Sequence, residues 1–315
     1  MKKILITGGC GFIGTKLVYE LLKQDCQITV VDTSWFGNFL PKSKKIKFIK
    51  KDIRNLVEND FKNIDTVFHL ASISNDPCSD LNPKLSWEVG PLATFNILNI
   101  CKSKKIRNFI YASSGSVYGV SIKKRVTENT NLLPISDYNK QKMITEKVIE
   151  SFKDLFRIVI IRPATVCGIS PRLRLDLSVN MLTYQAAKNK LITVFGGDQI
   201  RPNIHIDDLT DLYIYLLKLN KKNSGIYNAG FENLSVLNIA KKISKITGAK
   251  IKIRKKNFDP RSYRLDSTKL KNIKFYPRKG IDDAILEVSN SFKDKKFKIR
   301  KNFYSIEWLK NEIIR

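Results

Sequence analysis

The chain has 315 residues, 43% of them hydrophobic and 10% aromatic, which suffices for one large domain or a domain with a smaller lobe. No apolar run reaches the roughly 18 residues a membrane helix needs, and Met1-Lys2-Lys3 leads into a short strand rather than a secretory apolar stretch, so a cytoplasmic location is expected. The net charge of +28 comes from short, scattered, lysine-rich clusters, which read as a solvated surface rather than a nucleic-acid stripe.

In chain order, short apolar runs predict strands at 3–7, 27–31, 46–50, 66–70, 108–112 and 157–161. Between them, Phe12, Ile13, Leu17, Val18, Leu21 and Leu22 recur near helical spacing and predict a helix over 12–23. Two more helices are expected at 92–102 and 137–152, the latter opened by Ser136 or Asp137 as N-cap. Strands alternating with amphipathic helices define an α/β protein, a Rossmann-type doubly wound parallel sheet. Beyond about Arg162 the elements shorten: helices at 177–188, 207–219 and 238–247, strands at 191–195 and 250–254. The expected division is a dinucleotide-binding domain over 1–165 and a smaller C-terminal α/β substrate lobe over 166–315. Residues of about 204–230 are expected to return to the first domain.

Gly8, Gly11 and Gly14 lie directly between the first strand and the first helix. That turn needs residues without Cβ, because a diphosphate must approach the backbone and the helix must pack closely on the strand. The helix start, at Phe12 and Ile13, then offers free N–H groups and a partial positive charge to phosphate oxygens. Asp32 ends the second strand, where a carboxylate accepts both ribose hydroxyls of NAD and repels the 2′-phosphate of NADP. NAD is therefore the expected cofactor.

Tyr138 and Lys142 are four residues apart, on one helix face. A free phenol ionises near pH 10 or so, and an adjacent ammonium is expected to bring it toward the working range. Ser113 to Gly119 follow an apolar strand, and a serine at such a strand end can hydrogen-bond a substrate oxygen. His69 and His205 sit in apolar strand-like runs and read as structural, as does Cys167. Five scattered cysteines without C-x-x-C, and only two histidines, predict reduced thiols and no metal site.

Gly8/Gly11/Gly14, Asp32, Asp52-Ile53, His69-Leu70-Ala71, Ser113 to Gly119, Tyr138-x-x-x-Lys142 and Arg162-Pro163 together resemble the extended short-chain dehydrogenases/reductases. Within them the chain is similar to the NAD-dependent epimerase/dehydratase group typified by UDP-glucose 4-epimerase. The resemblance continues through Val194 to Gly197, Arg201 to Asp208, Tyr227 to Gly230 and Asp266 to Lys269. It implies a catalytic set of Ser114, Tyr138 and Lys142, with Lys142 also on the nicotinamide ribose. It places Asp52 and Ile53 at the adenine, and Leu70 and Ala71 at the cofactor through their backbone. Asn180 and Arg201 are implied at the diphosphate of a nucleotide-sugar, Ser74, Asn75 and Ser116 at the sugar, and Arg261 and Arg264 at phosphate. Homodimerisation through the helices at 92–102 and 137–152 is also implied.

Two departures from that pattern narrow the reading. Family dehydratases carry an acidic pair where this chain has Gly115 and Ser116, which argues against a 4,6-dehydratase. Thr165 and Gly90 stand where 4-epimerases commonly have asparagines, so a standard UDP-galactose substrate is not implied. The leading expectation is an NAD-dependent nucleotide-sugar epimerase acting at C4 through a transient 4-keto sugar. A 4-ketosugar reductase or sugar dehydrogenase of the same family is the alternative. A non-catalytic relative binding RNA or a protein is the remote one.

Overall fold

The computed structural model describes residues 1–121, 123, 125–255, 262–294 and 297–313. Its centre is a parallel sheet of seven strands. The first three are β1 (Lys2–Thr7), β2 (Cys26–Asp32) and β3 (Ile46–Lys50), with helix α1 (Phe12–Leu21) joining the first pair. The chain then crosses to the other side of β1 as β4 (Thr66–His69). Helices α2 (Asp76–Leu81), α3 (Pro83–Trp87) and α4 (Ala93–Ser103) lead into β5 (Asn108–Ala112). Helix α5 (Asp137–Glu150) leads into β6 (Arg157–Pro163).

Each of these strands reads as a continuous apolar run because both faces are covered. In β1, Ile4 and Ile6 pack on the face carrying Leu17 and Val18 of α1, whereas Leu5 packs with Ile97 and Leu98 of α4. In β6, Val159 and Ile161 share the first face, and Ile158 and Ile160 the second. Burying each such side chain contributes roughly 1.5–3 kcal/mol, so period-two alternation fixes the strand register without any polar side. Ser136 is the N-cap of α5, accepting from the Asn139 N–H at 3.2 Å.

Beyond β6 the chain divides between a smaller lobe and the main sheet, where Leu209, Leu212 and Tyr213 join the cluster that holds α1. After β7 (Thr165–Cys167) come α6 (Ser178–Asn189), β8 (Leu191–Phe195), β9 (Ile200–His205) and α7 (Ile206–Lys218). Strand β10 (Gly225–Ala229) returns to pair in parallel with β6, and the sheet order becomes β10-β6-β5-β4-β1-β2-β3. The return of this stretch to the sheet accords with the expectation for about 204–230, while the strand itself is not legible in the sequence, since five edge residues with a glycine start carry little periodicity. Strand β11 (Glu232–Ser235) joins β9 and β7 in a small sheet, and β12 (Lys250–Arg254) pairs with β8. Helix α8 (Val236–Thr247) and α10 (Ile281–Ser291) pack with α6 in a separate apolar cluster. Helix α9 (Thr268–Asn272) and α11 (Ser305–Trp308) are short.

The chain leaves β1 toward β2 on one side and resumes at β4 on the other. The carboxyl ends of β1 and β4 therefore diverge, and ligands of doubly wound sheets sit in the crevice so formed. Among the described residues no helix is long and apolar enough to cross a membrane.

Candidate active site

A cleft of about 500 Å³ opens at those strand ends, lined by residues from β1 through β7 and by the lobe. Gly8, Gly11, Phe12, Ile13, Gly14, Asp32, Asp52, Ile53, Leu70 and Ala71 all border it. The glycines are there for space. A Cβ on Gly14 would lie 2.3 Å from the Gly8 carbonyl oxygen, and one on Gly8 would lie 2.6 Å from the Ala71 nitrogen. Gly8 also has φ +75°, which favours glycine. No side chain caps α1, so its first-turn N–H groups are left for an anion. Asp32 accepts from the Cys10 N–H at 2.9 Å and the Ser34 N–H at 2.7 Å. That holds the carboxylate at the cleft wall with lone pairs to spare for ribose hydroxyls. Burial raises its pKa, against those two hydrogen bonds. These residues fit a dinucleotide.

The same cleft is lined by Ser74, Asn75, Ser114, Ser116, Tyr138, Lys142 and Arg201. Ser114 Oγ lies 2.7 Å from Ser116 Oγ, placing two hydroxyls at the end of β5. Lys142 is 3% exposed and donates to the Ala112 carbonyl at 2.7 Å, its Nζ 4.8 Å from the Tyr111 ring centre. Burial pushes the ammonium down to about 7, partly offset by the Glu146 carboxylate.

Tyr138 lies in the same cleft. Burial, then the nearby Asp76 carboxylate, push its phenol up to about 12, against a hydrogen bond from Ser114 and the charge of Arg174.

One expected site residue is placed differently, and another falls outside the described residues. Asn180 does not border the cleft. Its amide donates to the Gly168 and Arg174 carbonyls at 3.0 and 3.1 Å and accepts from the Gly168 N–H at 3.0 Å. Fully buried with that set satisfied, it staples the loop after β7 instead of facing a diphosphate. Arg261 lies outside the described residues. Gly90 sits at a bend before α4, packed against Gln141 rather than in the cleft, while Thr165 does line it.

Other residues reach the cleft without having been singled out: Asp76, Arg172, Arg174, Asp176 and, from the C-terminal end, Ile306 and Leu309. Arg174 pairs with Asp176 at 2.9 Å and donates to Ser74 at 3.3 Å. The alternation Arg172-Leu-Arg174-Leu-Asp176 before α6 was the available signal. The C-terminal pair offered none.

The histidines are structural. His69 Nδ1 and Nε2 lie 2.7 Å from Thr7 Oγ1 and 2.9 Å from Thr94 Oγ1. Thr94 itself donates to the Gly90 carbonyl, so the Nε2–H tautomer satisfies the set. Burial and Lys142 hold the ring near 3, hence neutral. His205 caps α7, accepting from the Asp207 N–H at 3.1 Å. With Asp207 and Glu287 it forms a possible ligand cluster, but Lys16 and Lys279 already pair with those carboxylates at 2.6–2.7 Å.

A glycine turn with room for a diphosphate, an aspartate at the end of the second strand, and Ser114, Tyr138 and Lys142 border one cleft of a Rossmann-type sheet. The profile of the NAD dependent epimerase/dehydratase family matches residues 4–230, and the chain belongs to that family. It is 34% identical, over 79% of this chain and 83% of the relative, to an uncharacterised UDP-glucose epimerase of Bacillus subtilis. It is 28% identical, over 90% and 94%, to a UDP-glucose 4-epimerase of Lactobacillus helveticus. Among solved structures it is similar to a UDP-glucuronic acid 4-epimerase of Bacillus cereus in complex with UDP-glucuronic acid and NAD. That match has a TM-score of 0.81 at 29% identity and covers 92% of this chain and 99% of the other. A dTDP-D-glucose 4,6-dehydratase of Dictyostelium discoideum is also similar, 31% identical over 78% of this chain and 62% of the relative.

Proposed function

We propose that the protein is an NAD-dependent nucleotide-sugar 4-epimerase. The observation that carries this is the convergence of Ser114, Tyr138 and Lys142 on the cleft that holds the glycine cradle, with Gly115 and Ser116 where a dehydratase has its acids. Tyr138 takes the proton of the sugar's C4 hydroxyl, and Ser114 hydrogen-bonds the same oxygen. Bound NAD supplies a reversible hydride acceptor and, when oxidised, a positive charge near the phenol. Lys142 holds the nicotinamide ribose. The resulting 4-keto sugar turns about its diphosphate tether, which Arg201 grips, and takes the hydride on its other face. Tyr138 then returns the proton. Burial of the site keeps water from the ketone.

Incubation with a panel of UDP-, GDP-, CDP- and dTDP-sugars tests this. The expected result is inversion at C4 of at least one sugar with no net change in NADH absorbance. Net NADH turnover would mark a reductase or dehydrogenase using the same residues, and loss of water would mark a dehydratase. No product from any sugar, with NAD bound, overturns the reading.

A homodimer fits the exposed apolar side chains of the helices that cover one sheet face. Leu92 and Phe95 are 65% and 52% exposed beside and on α4, and Ile144 on α5 is 37% exposed. Sedimentation at micromolar concentration tests it: a monomer there removes the dimer from the proposal.

A further inference from the structure

Arg172 is a buried cation at the cleft wall. It is 2% exposed, yet no carboxylate among the described residues lies within ion-pair distance of it, and its Nε has no hydrogen-bond partner. Its Nη2 donates to Ser305 Oγ at 2.9 Å and to the Asn302 carbonyl at 3.3 Å. Its guanidinium lies 4.2 Å from the centre of the Phe36 ring. Burial, then repulsion from Arg174, push its pKa down to about 9. Asp176 and Asp32 attract it from beyond ion-pair distance, and a buried cation with no direct partner is costly, a cost that an anion in contact with it lowers.

The surroundings say where that anion lies. Ser170 donates to the Phe12 carbonyl at 2.7 Å, fixing the loop after β7 onto the first turn of α1. Arg172, two residues on, borders the cleft between that turn and the segment after Asp32. The anionic part of a dinucleotide lying between the α1 N-terminus and Asp32 is its diphosphate. The guanidinium's remaining N–H donors suit phosphate oxygens.

We propose that Arg172 clamps the diphosphate of the bound dinucleotide from the lobe side, and that the C-terminal segment holds this clamp in place. Trp308 Nε1 donates to the Trp35 carbonyl at 2.6 Å and Asn302 Nδ2 to the Phe36 carbonyl at 2.7 Å, so the C-terminus closes over the adenosine end. Ile306 and Leu309 complete the apolar wall. An enzyme that regenerates its cofactor in each cycle gains from such retention.

Calorimetric titration of ligand-free protein with NAD, ADP-ribose, NADP and UDP tests the clamp in wild type, Arg172→Met, Arg172→Lys and Ser305→Ala. Arg172→Met is expected to weaken NAD and ADP-ribose by about 10–100-fold, while UDP stays within about twofold of wild type. Arg172→Lys is expected to restore part of the loss, and Ser305→Ala to weaken NAD several-fold without lowering the ligand-free melting temperature appreciably. NAD affinity unchanged in Arg172→Met overturns the proposal, as does a loss confined to NADP or to UDP, which would assign Arg172 to a 2′-phosphate or to the substrate. Should Arg172→Met not fold, unchanged NAD affinity in both remaining variants overturns it equally. Wild-type protein that binds NAD but not UDP counts against the nucleotide-sugar reading alone.

Discussion

Replacing Arg162 with methionine probes how the catalytic elements are held in register. Glu146, one helical turn past Lys142 on α5, accepts from Arg162 at 3.0 Å and 2.6 Å, and it also accepts from Ser113, the neighbour of Ser114. Arg162 donates to the Tyr118 hydroxyl at 2.6 Å, which donates to Asn228 at 2.8 Å. One buried network thus joins β5, α5, β6 and β10. The paired side chains are only 3% and 1% exposed. Methionine keeps much of the volume but leaves the carboxylate without its cation. Removing one partner of a buried pair costs about 3–5 kcal/mol, a factor of roughly 10²–10⁴ in the folding equilibrium. Adding Glu146→Gln to that variant removes the stranded charge, so the double variant should be more stable than Arg162→Met alone. Urea unfolding of the four proteins in the cycle measures this. A loss below about 1 kcal/mol in Arg162→Met, the range of an exposed pair, would refute the reasoning.

Other perturbations act on the cleft itself. Tyr138→Phe should lower kcat by about 10²–10⁴-fold with NAD affinity unchanged, as steady-state assays paired with calorimetry would show; comparable turnover would remove Tyr138 as the proton carrier. Gly14→Ala should abolish NAD binding while leaving a folded protein, because its methyl meets the Gly8 carbonyl at 2.3 Å. Retained NAD affinity would show that the turn can yield. Lys142 gives a pH signature in the ligand-free protein. Its folded pKa of about 7 lies below the ordinary lysine value, so between the two the unfolded chain binds the proton and the folded one does not. Stability should therefore rise with pH above about 7, at up to roughly 1.4 kcal/mol per pH unit, in wild type relative to Lys142→Met. A flat difference between the two from pH 7 to 9, on urea titration, would mean the ammonium is not desolvated as described.

How much could be read in advance followed from the range of the forces involved. The strands at 46–50, 108–112, 191–195 and 250–254 coincide with the runs predicted from apolar patterning. The glycine turn, Asp32 and the Tyr138/Lys142 spacing were equally legible, because each is set by neighbours within a turn or a strand of the same segment. Asn180 was read as facing a ligand, but the polar groups that claim it belong to the loop at 168–174, and spacing cannot say which way a helix presents an amide. Nor could composition show that Asp76 and Arg174 flank the Tyr138 phenol, since those side chains come from separate segments.

The sequence by itself determined the class of sheet and the glycine turn before α1, since backbone periodicity and local spacing encode them, whereas the family resemblance carried NAD and the proposed set of Ser114, Tyr138 and Lys142. The tertiary structure alone decided that β10 pairs with β6 at the sheet edge, and that Ile306 and Leu309 reach the cleft. Ser305 meets Arg172 across 133 positions, and Asn302 meets Phe36 across 266. Contacts that far apart leave no periodic trace, because they exist only after the core has fixed where each loop emerges.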